Sequence, residues 1–139
     1  MVHAQIAAFG AAIIVVVTVY IAYRRRLACD RKRLLESRNP VPSREFGATH
    51  YPADPVRAEI ASFILLKFEE LTAYDFKGAL PEDRIVDDLR VDELDSLATV
   101  EIIQDVEVRF GIKVTDTEAA ATQTLNDFIE LVAVKRGGG

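Results

Sequence analysis

The amino-terminal run at residues 4–23 constrains the chain most, because twenty consecutive residues carry no charge. It reads AQIAAFGAAIIVVVTVYIAY. At a rise of about 1.5 Å per residue, a helix of this length spans the ~30 Å hydrocarbon core of a bilayer. A helix that is apolar on all sides would need a much larger protein to bury it. The sequence therefore predicts a single transmembrane helix at residues 1–23.

A basic cluster follows this run and predicts its orientation. A cleaved signal peptide would carry its basic residues before the apolar run, and its apolar core would be shorter. The positive-inside rule places the carboxyl-terminal side in the cytoplasm, as for a single-pass protein of a bacterial inner membrane with lipid around its first helix. The cluster contains Arg24, Arg25, Arg26, Arg31, Lys32 and Arg33.

Residues 24–54 are predicted to be a basic juxtamembrane stretch followed by a proline-rich linker. Residues 24–38 are expected to continue the helix. Either Leu27, Leu34 and Leu35 lie along the membrane surface, or the stretch is a topology signal without lipid specificity. Cys29 lies there as either an acylation site or an ordinary free thiol. Four of the five prolines fall within residues 39–55, which predicts an extended spacer with a reach of at most about 55 Å.

The charge distribution limits the possible partners of the remaining chain. Residues 51–139 contain nine Lys or Arg and nineteen Asp or Glu, a net charge of -10. Such an acidic unit is unsuited to nucleic acid and suits basic partner proteins. The single cysteine excludes an internal disulfide and a multi-cysteine metal site. The two histidines, His3 and His50, lack companions for catalysis or metal binding.

Residues 55–136 are predicted to form an all-α domain, a four-helix bundle with three longer helices and one short one. Apolar residues recur at three or four positions in each helix. Residues 74–95 form a long loop, pinned by Leu80, Ile85, Val86 and Leu89, and residues 137–139 form a disordered tail. The predicted helices start at Pro55, Ser96, Thr115 or Asp116, and Thr124; the second buries Leu97, Val100, Ile103, Val106 and Phe110 and ends at Gly111.

Ser96 opens the second helix of this domain and can be interpreted in two ways. As a helix cap, its hydroxyl would satisfy a free amide of the first turn, worth ~1 kcal/mol. As an attachment point, the hydroxyl would carry a phosphate ester at the positive end of the helix dipole. Asp95 precedes the serine and Leu97 follows it.

The region resembles the acyl carrier proteins, four-helix carriers that bear a 4′-phosphopantetheine on a serine. The resemblance covers roughly residues 56–135. It implies a phosphopantetheine on Ser96, flanked by Asp95 and Leu97, and a phosphopantetheinyl transferase that attaches it. It implies no catalysis by the chain itself. The matching features are the Asp-Ser-Leu triplet at 95–97, Val100, Glu101, Phe110, the stretch Ile112 to Asp116, and the pair Thr124 and Leu125.

The resemblance also implies that Glu101, Asp105 and Glu107 contact basic patches on acyltransferases and synthases. Three residues depart from the family pattern in the loop and the acyl pocket. Glu93 stands where a glycine is common, Ala98 replaces a frequent acidic residue, and Thr122 replaces an aliphatic one. The sequence and the resemblance together predict a membrane-tethered acyl carrier that presents acyl groups to fatty-acid, lipid or secondary-metabolite enzymes. An aminoacyl or peptidyl carrier, and an unmodified adaptor subunit, remain alternatives.

Overall fold

The structure, a computed structural model, describes residues 2–91 and 96–138, with the backbone alone for Ser96 and Leu97. Within those ranges the regular elements are all helices, which confirms the all-α class. They are α1 (Val2–Glu36), α2 (Ser43–His50), α3 (Pro55–Thr72), α4 (Ser96–Phe110), α5 (Asp116–Ala121) and α6 (Leu125–Gly138).

Helices α3, α4 and α6 enclose the hydrophobic core. Ile60, Ile64 and Leu65 of α3 are fully buried, as are Val106 of α4 and Ile129 of α6. The ends of α3 follow from its sequence. Asp54 accepts a hydrogen bond from the amide of Arg57, and Ala73 takes the left-handed conformation that ends the helix. A capping aspartate is a common start of a helix, and a left-handed residue is a common end.

Helix α4 runs antiparallel to α3, as three contacts in order show. The Nζ of Lys67 lies 3.3 Å from a carboxylate oxygen of Asp105. Nearer the start of α3, the rings of Phe63 and Phe110 are 5.3 Å apart. A guanidinium nitrogen of Arg109 lies 2.9 Å from a carboxylate oxygen of Glu59. The carboxyl end of α3 therefore lies beside the start of α4.

The predicted spacer is partly wrong, because Ser43–His50 forms α2 and packs on α3. Phe46 is 1% exposed and belongs to the core. The hydroxyl of Ser62 accepts a hydrogen bond from the Gly47 amide at 2.8 Å, and the side chains of Ser43 and Glu69 are hydrogen-bonded. The prolines flank this segment instead of extending it: Pro42 precedes the first turn, where a missing amide costs nothing.

Helix α1 is continuous from Val2 to Glu36, and its last turns pack on the folded unit. Leu27 and Leu35 are buried, not laid on a membrane as predicted, whereas Leu34 is half-buried. Leu35 joins the hydrophobic core, because contact with protein removes its apolar surface from water as effectively as lipid does. Cys29 is exposed.

Two smaller predictions also differ from the structure. Helix α6 continues through Gly138, whereas a disordered tail was predicted from residue 137; residue 139 lies outside the described range. Once a helix has formed, each added residue contributes one further backbone hydrogen bond, which favours its continuation. In the loop after α3, Leu89 is buried as predicted, but Val86 is 49% exposed. Phe76, which the sequence did not single out, is fully buried beside Phe68.

Candidate functional site

Ser96 is the first residue of α4, at the end of the bundle where α3 finishes. The first turn of any helix has amide groups without partners inside the helix, and its dipole favours negative charge there. The backbone therefore suits a phosphate ester on this serine. Asp95 and Glu93 lie outside the described residues, and so does the side chain of Leu97.

An apolar cavity of about 290 Å³ opens one helical turn after Ser96, at Thr99. The Thr122 hydroxyl does not make it polar, because it donates a hydrogen bond to the Ala119 carbonyl at 2.7 Å. Such a space accepts an apolar chain and offers a charged group no partner. The cavity is lined by Phe68, Ile85, Val86, Val91, Thr99, Ile102, Ile103, Ala119, Ala120, Thr122 and Phe128.

The helix start and this cavity together fit a phosphopantetheine that carries an acyl group. The first turn of α4 would hold the phosphate, and the cavity lined by Thr99 and Ile102 would hold an apolar chain. Among residues 2–91 and 96–138, no group of three or more His, Cys, Asp or Glu could hold a metal ion.

The three acidic residues predicted to bind partners do not form one surface. Glu101 is exposed. Asp105, one turn later, shares its face but pairs with Lys67 at 3.3 Å. Hydrogen bonds to Glu70, and then to Asp105, raise the pKa of Lys67. Glu107 points about 120° away from Glu101 by helix geometry, has a 17% exposed side chain, and pairs with Lys113.

The exposed face of α4 also contains apolar residues that the sequence analysis assigned differently. Val100 was expected in the core but is 49% exposed, and Val108 is 84% exposed. Ile102 is buried in place of Val100. The helical period of three or four fits either register, since α4 has apolar residues on both sides. With Glu101 and Gln104, these valines form a mixed acidic and apolar surface, which we call the α4 face.

Comparison with known proteins bears on this site directly. The family model described as a phosphopantetheine attachment site matches residues 79–132, which include Ser96. An acyl carrier protein of Desulforapulum autotrophicum is 40% identical over 67 residues, which cover 48% of this chain and 83% of the relative. The chain belongs to the acyl carrier protein family.

Other acyl carrier proteins match at similar levels. That of Thermotoga maritima is 31% identical over 81 residues, covering 58% of this chain and 96% of the relative. The meromycolate extension acyl carrier protein of Mycobacterium tuberculosis H37Rv is 34% identical over 74 residues, 53% of this chain and 62% of the relative.

Membership of this family defines the chemistry. Acyl carrier proteins are not enzymes. They bear a covalent 4′-phosphopantetheine and interact with phosphopantetheinyl transferases and acyl-handling enzymes. Beyond the carrier unit, the described residues include one helix, α1, that is long and apolar enough to cross a membrane, and none of its most apolar stretch is buried.

Proposed function

We propose that the chain is a membrane-anchored acyl carrier whose phosphopantetheine is attached to Ser96. The observation that supports this most directly is the apolar cavity beside the first turn of α4, within the matched segment 79–132. When attached, the phosphopantetheine supplies a thiol that holds an acyl group as a thioester. The apolar lining of the cavity favours an acyl cargo over an aminoacyl one.

The residues of the chain do the rest of the work. The amides of the first turn of α4 stabilise the phosphate. Asp95 and Leu97 flank the attachment point for the transferase. Phe68, Ile102 and Phe128 keep water away from the stored chain. Each methylene taken from water gains about 0.8 kcal/mol, so the cavity protects its cargo until a partner enzyme offers a better site.

The anchor is the exposed apolar part of α1. Val15, Val16 and Tyr20 are 57–67% exposed, and this side-chain surface suits lipid. Residues 1–23 serve as the transmembrane helix, and the basic residues after it hold the carrier domain in the cytoplasm, as in a bacterial inner membrane. Confinement beside the bilayer raises the carrier's local concentration at membrane-bound enzymes.

Partner enzymes approach the α4 face. Glu101 supplies negative charge for their basic patches, and Val100 and Val108 supply apolar contact. Asp105 and Glu107 contribute after their pairs with Lys67 and Lys113 open. The Lys113 side chain is 93% exposed and that of Asp105 is 36% exposed, so basic groups of a partner can compete for these carboxylates.

Intact-mass measurement of the full chain tests the attachment. We expect co-expression with a broad-specificity phosphopantetheinyl transferase to add one arm to the membrane-extracted protein. Ser96→Ala should add none, and the matched control Ser37→Ala, exposed on the turn after α1, should add one. An unmodified wild-type chain would contradict the proposal and favour the adaptor alternative. A modified Ser96→Ala chain would show that the arm is attached elsewhere.

A second measurement identifies the cargo and tests the tether. Mass spectrometry of the thioester-bound group should show acyl chains; an amino acid there would favour the aminoacyl carrier. Replacing residues 1–23 by a soluble tag should leave the modification of Ser96 intact and lower product formation in cells. Unchanged product would remove the need for an anchor.

A further inference from the structure

The end of the bundle that contains Ser96 is also the end on which α1 docks. Phe68 near the end of α3 lines the same cavity as Thr99 and Ile102 of α4, so the carboxyl end of α3 and the start of α4 lie together. We call this the attachment end. The opposite end, formed by Glu59, Arg109, Phe110 and Arg136, we call the distal end.

Five contacts, made by α1 and by Arg38 just after it, fix α1 on the attachment end. The guanidinium of Arg31 stacks on the ring of Tyr74, 3.5 Å from its centroid. Arg38 donates hydrogen bonds to a carboxylate oxygen of Asp83 at 2.6 Å and to the Gly78 carbonyl at 3.2 Å. Leu35 lies in the core. Its carbonyl is so close to Gly78 that a Cβ there would meet it at 2.5 Å.

The Arg38–Asp83 pair ties the turn after α1 to the segments that frame the site. Asp83 is 3% exposed, and its carboxylate also accepts a hydrogen bond from the Leu80 amide at 2.8 Å. Its carbonyl accepts one from the amide of Leu125, the first residue of α6. The hydrogen bond from Arg38 to Asp83 raises the pKa of the arginine. Only Asp83 is buried in this pair, and separation would leave its carboxylate without a cationic partner, so the pair holds its geometry.

The docking leaves little space between the bundle and the membrane. Arg31 and Leu35, which contact Tyr74 and Gly78, come eight and twelve residues after Tyr23, about 12 and 18 Å along the helix. Helix α3 is about 27 Å long at 1.5 Å per residue, so the bundle cannot extend from its docked end back toward the bilayer. It extends away from the bilayer, and the attachment end stays nearest the lipid.

The charge of this end agrees with that placement. Seven basic residues lie between Arg24 and Arg38, against two acidic ones, Asp30 and Glu36. The carrier unit as a whole is acidic, with a net charge of -10 over residues 51–139. An anionic leaflet attracts the first group and repels the second.

From these contacts we propose that α1 holds the carrier with its attachment end toward the membrane, so that the arm on Ser96 serves enzyme active sites that open at the membrane surface. This proposal rests on the anchor and the attachment site proposed above. It adds a fixed orientation, because α1 holds the bundle rigidly instead of letting it rotate freely. Partners in the bulk cytoplasm therefore meet the distal end first.

Energy transfer to labelled lipid tests the orientation in the full chain. In a Cys29→Ser background, a donor dye is placed at Lys77→Cys on the attachment end or at Val108→Cys near the distal end; both positions are exposed. The protein is reconstituted in vesicles of phosphatidylcholine and phosphatidylglycerol with a headgroup-labelled acceptor lipid. The two ends differ by about 20 Å along α3, so transfer from position 77 should clearly exceed that from 108.

A matched pair of glycine variants tests the docking as the cause. Gly78 and Gly111 both have positive φ, 89° and 65°, but only Gly78 has a neighbour within 4 Å of an added Cβ. Gly78→Ala should push Leu35 away and reduce the difference in transfer, whereas Gly111→Ala should preserve it. Circular dichroism confirms that both fold; if Gly78→Ala does not, the comparison of positions 77 and 108 alone decides.

The outcomes separate this inference from the proposed function. Equal transfer from the two positions, or more from 108, in a protein that floats with vesicles and accepts the arm would overturn the fixed orientation alone. A chain that does not float with the vesicles would overturn the anchor and the orientation together. A floating chain that Ser96→Ala leaves modifiable would overturn the attachment site while the orientation stands.

Discussion

Replacing Gly47 by alanine tests whether α2 belongs to the folded unit. In an isolated helix this change is stabilising, by about 0.5–1 kcal/mol, because alanine has the higher helix propensity. In the structure a Cβ at Gly47 would lie 1.8 Å from the carbonyl oxygen of Ala58 and 2.5 Å from its carbonyl carbon. Those atoms belong to the α3 backbone, so no side-chain rotation relieves the clash.

The expected result is destabilisation. Overpacking of a close contact costs about 1–3 kcal/mol, more when backbone must move. For a domain of this size that lowers the midpoint of thermal unfolding by about 5–20 °C. The assay is thermal unfolding of the full chain in detergent, followed by circular dichroism, with hydrogen exchange of the α3 amides to localise the effect.

Two control variants make the result specific to the contact. Gly137→Ala is also in a helix, but an added Cβ there has no neighbour within 4 Å, so it should be neutral or slightly stabilising. Thr49→Ala changes an exposed residue of α2 itself. If Gly47→Ala raised the midpoint as Gly137→Ala does, α2 would not lie on α3 and residues 39–54 would be the spacer that the prolines suggest.

Three further predictions concern the site and the charges. Ala119→Phe fills part of the cavity beside Thr99 and, by excluding roughly four methylenes, should reduce the stabilisation that an acyl group confers by about 3 kcal/mol; Ala121→Phe, outside the lining, should not, and equal effects in the unfolding of acylated protein would refute the cavity's role. Glu101→Lys should slow loading by the transferase about tenfold at low salt. The same charge change at Glu45, which is exposed on α2, should slow loading much less; equal rates would argue against the α4 face. Hydrogen bonds from the amides of Thr124 and Gln123 lower the pKa of Asp127. The ionised Asp127 therefore stabilises the fold above the unfolded pKa near 3.9, and this stabilisation is lost as pH falls through the folded pKa. Asp127→Asn should flatten the decrease in unfolding free energy between about pH 5 and 3, and an unchanged slope would show that other carboxylates dominate.

Much of the carrier unit was predictable because its signals are local. Asp54 and Pro55 start α3, and Gly111 ends α4; each acts through its own backbone conformation or a hydrogen bond a few residues away. The same locality made Ser96 recognisable as the start of a helix. The register of α4 was not predictable to the residue, since Val100 and Ile102 are both apolar and only packing against Phe68 distinguishes them.

The N-terminal half shows the limit of local signals. Proline density near residues 39–55 predicted an extended spacer, because proline removes an amide and fixes φ. The structure places Pro42 where that loss is harmless, and it buries Phe46 of α2 in the hydrophobic core. No local pattern encodes the missing Cβ of Gly47 that admits the carbonyl of Ala58.

The sequence by itself determined that this chain has an apolar helix of membrane length, an acidic helical bundle, and a serine at the start of a helix, because periodicity, charge and capping act over a few residues. Only the tertiary structure decided which leucines of α1 meet protein instead of lipid, how the acidic residues of α4 divide between faces, and where the cavity opens. Those outcomes depend on segments far apart in the chain, such as Arg38 and Asp83, whose contact exists only after both have been packed in place.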